Sequence, residues 1–154
     1  MAFQSDGGIG KARKLVEVAI RDRGIEPDDN RISSSERGVA WALKFGSAAV
    51  MIALNPMERP KEAARLRIVS PIVRMETELK KELLLRLLEL NGTTLPGVAF
   101  GIINNEIVLV AERSVRGLER HEVEEMLAMI GHFADEYDDL LVREYGGVRV
   151  CDLD

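Results

Sequence analysis

The run "FGIINNEIVLVAE", residues 100–112, restricts the fold more than any other stretch of the chain. Asn104-Asn105 divides it, and asparagine tolerates the left-handed backbone that a tight hairpin needs. Before the turn the pattern alternates, with Val98, Phe100 and Ile102 on one face and smaller residues between. After it, Ile107, Val108, Leu109, Val110 and Ala111 follow one another without a polar break, so both faces of that strand are apolar. One face can rest on a core. The other needs a cover of its own.

Three more strands are expected upstream. "GVAWALKF" places Val39, Trp41, Leu43 and Phe45 on one side and Ala40, Ala42 and Lys44 on the other. Gly46-Ser47 turns the chain, and "AAVMIALN" returns it with Val50, Ile52 and Leu54 opposite Ala49, Met51 and Ala53. "ARLRIVS" alternates Leu66 and Ile68 with Arg65 and Arg67, and Pro71 then predicts a bulge, an edge or a strand end.

Helical spacing marks three segments. Ala12, Leu15, Val16, Ala19 and Ile20 predict a helix from about Gly10 to Arg23, stopped by Gly24. The polar stretch 25–37 that follows reads as a loop. Leu79, Leu83, Leu87 and Leu90 form one stripe of a helix from about Glu76, while Leu84 and Leu88 widen it and Leu85 lies outside both. A third helix, from about Arg120 to Arg143, buries Val123, Met126, Leu127, Ile130, Phe133, Ala134, Tyr137 and Leu141. Leu118 and Val123 flank its start as a hydrophobic staple, with Glu119 and Glu122 as an imperfect capping box. The expected fold is α+β, a single domain in the order αβββαββα with an antiparallel sheet packed with helices. Residues 1–9 are expected as a flexible lead, 10–147 as the domain and 148–154 as a C-terminal tail.

Chemistry finds little support. "GGIGK" at 7–11 lacks the preceding strand, the first glycine and the hydroxyl residue of a phosphate loop. Asp28-Asp29-Asn30 does not continue into a twelve-residue calcium loop. His121 with Glu125, and His132 with Glu136, have metal-compatible spacing, but the two pairs are too far apart along one helix to share an ion. Cys151 stands alone, which excludes an intramolecular disulfide, and only Arg149 is near to activate it. Asp135, Glu136, Asp138 and Asp139 spread around a helix as solvated surface. Catalytic residues, metal and cofactor are therefore all expected to be none.

The net charge of −5 argues against nucleic acid as the main partner. The basic set Arg59, Lys61, Arg65, Arg67, Arg74, Lys80 and Lys81 is interleaved with glutamates and reads as mixed-charge surface. From Glu119 onward the chain holds eleven acidic and three basic residues. No apolar run reaches the ~18 residues of a membrane span, and no signal-peptide core opens the chain. The cytoplasm is the expected location.

Three stretches carry a family resemblance: "LLRLLELNGTTLPGVAFGI", "IVLVAERSVRGLERHEVEEML" and "ADEYDDLLVREYGG". Together they resemble the YbjN family, bacterial regulators of sensory-transduction type whose fold is similar to that of type III secretion chaperones. In such chaperones the second helix and a following strand build a homodimer, and apolar patches on helix 1 and the sheet hold a segment of a client. The resemblance therefore implies a cover for the second face of the hairpin.

Burying one Val or Leu side chain is worth roughly 1.5–3 kcal/mol, so surplus apolar surface marks a contact site. Three covers remain open: helices 1 and 3 on opposite faces of the sheet with nothing left over, a homodimer contact, or a groove for a foreign peptide. The candidate dimer residues are Leu84, Leu88, Val108 and Val110. The candidate client-binding patch is Leu15, Val16, Trp41, Leu43, Phe45 and Met51, whose alternative role is ordinary core. The leading expectation is a non-enzymatic, chaperone-like protein-binding module, homodimeric and holding a client segment. The alternative is a regulatory domain that acts through a protein partner without chaperoning it.

Overall fold

A computed structural model describes residues 8–35, 38–57, 59 and 62–153. The elements run α1 (Ile9–Arg21), β1 (Arg31–Ser35), β2 (Gly38–Phe45), β3 (Ala48–Asn55), β4 (Arg65–Arg74), α2 (Lys81–Thr93), β5 (Ala99–Ile103), β6 (Glu106–Ser114), α3 (Arg120–Tyr145) and β7 (Val148–Arg149). The strands form one antiparallel sheet in the order β1-β2-β3-β4-β6-β5, with β7 pairing β4 off that path. The expected α+β order is present, with one strand added between α1 and the three expected strands and one after α3.

The added strands have little apolar signal. β1 comes from the stretch read as a loop. Ile32, Ser33, Ser34 and Ser35 are all exposed, and backbone pairing to β2 holds them in place. β7 comes from the expected tail, where Val148 and Arg149 pair with Arg74 and Val73. Of the lead expected over residues 1–9, residues 1–7 lie outside the described residues, and α1 begins at Ile9.

β4 is central, flanked by β3 and β6, even though it contains a proline. Its pairing to β3 spans Arg65 to Val69, and its pairing to β7 takes up again at Val73. Pro71 falls between the two, where no strand is waiting for its missing N–H. On the β6 side the register slips between Pro71 and Val73, so Ile72 is an inserted residue and both Ile72 and Val73 become buried.

The hairpin of β5 and β6 turns as expected. Asn104 and Asn105 have φ of 49° and 64°. The Asn105 side chain donates to the Met75 carbonyl at 2.7 Å, which ties the turn to the end of β4. The capping box at α3 is closed, with the Glu119 N–H donating to Glu122 at 2.9 Å, and Leu118 and Val123 are both buried.

A single core lies on one face of the sheet. Trp41, Ile52, Leu54, Leu66, Ile68, Ile107 and Leu109 supply the sheet side. Val16 and Ile20 of α1, Leu83 and Leu87 of α2, and Leu127, Ile130 and Leu141 of α3 belong to the same cluster. An ion pair between Asp22 and Arg120 joins the end of α1 to the start of α3. Of the three covers left open, helices 1 and 3 on opposite faces is the one this arrangement removes: α1 and α3 pack together on the core side. Their stripes are each narrow enough to be buried by one shared cluster.

Candidate protein-binding surfaces

Among the described residues neither α1 nor α3 covers the opposite side of the sheet, hereafter the open face. Cross-strand register lines up Ala42 with Met51, Met51 with Val69, Val69 with Val110, and Val110 with Ala99. The result is an apolar row across β2, β3, β4, β6 and β5. Met51 is 46% exposed, Ala42 and Ala99 are exposed, and Val69 and Val110 are half-buried. Beside this row Pro71, Val108 and Gly101 are also in register. Val108 is 2% exposed yet stands outside the core cluster. A Cβ at Gly101 would lie 3.5 Å from a Val108 methyl, an ordinary contact distance.

Charge frames the row. Glu112 accepts from Arg65 at 2.8 Å and from Arg67 at 2.5 Å. Burial pushes the Glu112 carboxyl up, but the hydrogen bonds and positive charges of Arg67 and Arg65 outweigh it and hold the group below its usual range. At the other end Arg74 donates to Glu106 at 2.9 Å. Arg59 is paired with Glu62 as well, so within the described part of the basic set four arginines share three glutamates.

α2 lies along the β5 edge. Asn91 accepts from the Phe100 N–H at 2.6 Å and donates to the Phe100 carbonyl at 3.1 Å, so one side chain occupies both edge groups of that residue. Leu83, Leu87 and Leu90 turn into the core. Leu85 and Leu88 do not, at 54% and 66% exposed, and Leu84 is half-buried between the two groups. Of the four dimer candidates, Leu88 is exposed, Leu84 and Val110 are half-buried, and Val108 is already buried within the chain.

The six client candidates do not share one surface. Val16 and Trp41 are 0% exposed and Leu43 is buried with them, because α1 turns Val16 into the core and the face of β2 that carries Trp41 and Leu43 is the core face. Leu15 is half-buried on α1. Phe45 is half-buried, with the Arg23 guanidinium 4.7 Å above its ring. Met51 points to the open face, on the other side of the sheet. Trp41 Nε1 has no hydrogen-bond partner among the described residues.

A groove at one end of the sheet was not foreseen. A cavity of about 310 Å³ opens between the first turns of α1 and the loop from β6 to α3, lined by Lys11, Ala12, Leu15, Ala63, Val115 and Arg116 among others. A neighbouring hollow of about 460 Å³ shares Ala63 and Arg116 and extends to Met57 and Ser114. Its walls come from separate chain segments whose residues look unremarkable one by one. The extra Val115, beyond the end of β6, was the nearest signal.

The other titratable groups remain apart. His121 lies 3.3 Å from Glu119 and His132 lies 3.4 Å from Glu136, both on exposed surface. Among the described residues no group of three or more potential metal ligands forms. Asp138 is buried on α3, which raises its pKa against the opposing hydrogen bond from the Asp139 N–H. The Cys151 thiol donates to it at 3.7 Å, and burial raises the thiol pKa too. No helix of the described residues is long and apolar enough to cross a membrane.

An antiparallel sheet with α1 and α3 on one face, a helix along one edge and an apolar face left open defines the architecture as α+β with one uncovered apolar surface. The chain belongs to the family described as T3SS (YopN, CesT) and YbjN peptide-binding chaperone 1, whose model matches residues 13–153. Two solved structures share the fold. One, the ExsC–ExsE complex, has a chain that is 18% identical, with a TM-score of 0.62, covering 86% of this chain and 95% of that one. The other, the HopA1–SchA chaperone–effector complex, is 12% identical, with a TM-score of 0.57 and the same two coverages. No curated protein matches the chain.

Proposed function

We propose that this protein is a non-enzymatic, cytoplasmic, chaperone-like module that pairs with a second copy of itself and holds a segment of a client protein. Membership in a family of peptide-binding chaperones supports the holding of a segment, and one of the similar solved structures is a chaperone–effector complex. The observation that carries the pairing is the apolar row of the open face, from Ala42 to Ala99, beside the exposed leucines of α2. Left wet, that surface is sticky; paired, it becomes the centre of an interface with Arg–Glu pairs at its rim.

The test of client holding is capture from a lysate of the source organism followed by limited proteolysis on the resin. A genuine client leaves one short protected segment, and that segment made synthetically rebinds saturably to purified protein. The proposal fails if no captured protein yields a protected segment that rebinds.

A further inference from the structure

We infer that the groove between the start of α1 and the loop from β6 to α3 is the seat of an acidic, apolar client segment. This rests on the peptide-holding reading and adds to it a place and a chemistry. At about 310 Å³ the cavity falls at the low end of the ~300–1,000 Å³ range of ligand pockets. Its floor is apolar: Ala12, Val115 and Leu118 are buried, and Leu15 and Ala63 are half-buried. An inserted aliphatic or aromatic side chain would complete the burial of Leu15 and Ala63.

The rim decides the sign. Lys11 and Arg116 stand exposed on two sides of the cavity, and neither side chain has an ion-pair partner among the described residues. In this region such cations are unusual. Arg59 is paired with Glu62, Arg65 and Arg67 with Glu112, and Arg113 with Glu122. The negative charge of the chain is concentrated from Glu119 onward, so an acidic segment is repelled by that part of the surface and attracted at this rim. A basic segment would meet the reverse pattern.

The hollow that shares Ala63 and Arg116 continues the groove toward Met57, which is exposed. The seat therefore suits an extended segment with one apolar anchor in the cavity, carboxylates on either side, and a second apolar residue over Met57. Among the described residues only two cations line the cavity and Glu62 borders its extension, which makes it a poor track for a nucleic-acid backbone.

The experiment uses amide NMR of the whole protein titrated into the millimolar range with three synthetic peptides. One carries Leu-Phe between aspartates, one carries Leu-Phe between lysines, and one carries Ser-Ser between aspartates. The first should shift the amides of Leu15, Val115, Gly117 and Leu118, and the other two should bind at least tenfold more weakly. The double variant Lys11→Glu, Arg116→Glu should lose about tenfold for the first peptide and gain for the second. Both positions are exposed, so unchanged Trp41 emission verifies that the variant is folded.

Shifts confined to the open face or to β1, equal binding of acidic and basic peptides, or no shift at all each overturn the inference. The capture experiment separates this from the broader reading. A client held equally by wild type and double variant removes the groove and leaves client holding intact, whereas no client for either removes both.

Discussion

Val69 and Val110 face each other across β4 and β6 on the open side of the sheet, with Met51 and Ala99 extending the line on either side. A pair of β-branched residues in the middle of a sheet is ordinary when a layer lies over it. Here the layer would be the second copy. In a two-fold interface each residue counts twice, so Val110→Asp and Leu88→Asp should each weaken dimerisation by at least about a hundredfold. Sedimentation of wild type should give twice the chain mass, and the variants the chain mass with unchanged circular dichroism. Wild type that sediments as a single chain at micromolar concentration ends the pairing proposal.

Trp41 offers a direct test of which residues are interior. It is the one tryptophan of the chain and is fully buried opposite Ile52. Its emission should be blue-shifted, resist acrylamide, and stay unchanged when a client peptide binds. Trp41→Ala should cost roughly 3–5 kcal/mol in urea denaturation, the usual range for emptying an aromatic core site. Quenching of Trp41 on direct contact with a bound peptide would restore it to the client surface.

Two carboxylates should respond to pH in opposite directions. The folded Glu112 pKa is below its unfolded value, so its contribution is present above the ordinary carboxylate range and fades as pH falls through the lowered value. Glu112→Gln should therefore lower the urea midpoint at neutral pH, by under ~1 kcal/mol for so accessible a pair, and have no effect in strong acid. Asp138 has a raised folded pKa, which makes its ionised form a cost at neutral pH that is relieved as pH falls. Asp138→Asn should raise the midpoint at neutral pH and lose that advantage below the ordinary aspartate range. Equal midpoint shifts at both pH values would refute either assignment.

The period-two patterns of β2 and β3 and the Asn104-Asn105 turn were readable because alternation and turn chemistry are local. β1 was not, since Ile32 to Ser35 are held by β2 backbone groups and have no buried face to leave a pattern. The centrality of β4 was hidden because Pro71 argues for an edge, and only the gap between β3 and β7 makes it harmless. Amphipathic spacing named most of the buried residues of α1 and α3, although Leu15 and Met126 are only half-buried and Asp138 is buried rather than solvated, and it carries no information about which side of a sheet they reach. Hence the candidate patch mixed core residues such as Trp41 with Met51 of the open face. The groove residues Lys11, Ala63 and Arg116 are distant in the chain, and no local signal links them.

Gly147 is the hinge on which the last residues depend. Its φ is +88°, and a Cβ there would lie 2.7 Å from the Arg74 carbonyl oxygen and 3.0 Å from a Val73 methyl. Gly147→Ala thus suffers both backbone strain and a backbone clash that a side-chain rotation cannot relieve. β7 should detach from β4, and with it the turn that holds Cys151 against Asp138. In wild type, burial and the neighbouring carboxylates Asp152 and Asp138 hold the Cys151 thiol above its usual pKa, although Arg149 pulls the other way. Iodoacetamide should therefore modify wild type more slowly than free cysteine and Gly147→Ala at least tenfold faster than wild type, with a loss of more than ~1 kcal/mol of stability. Equal alkylation rates would mean that the C-terminal residues do not depend on the Gly147 turn for their seat beside β4.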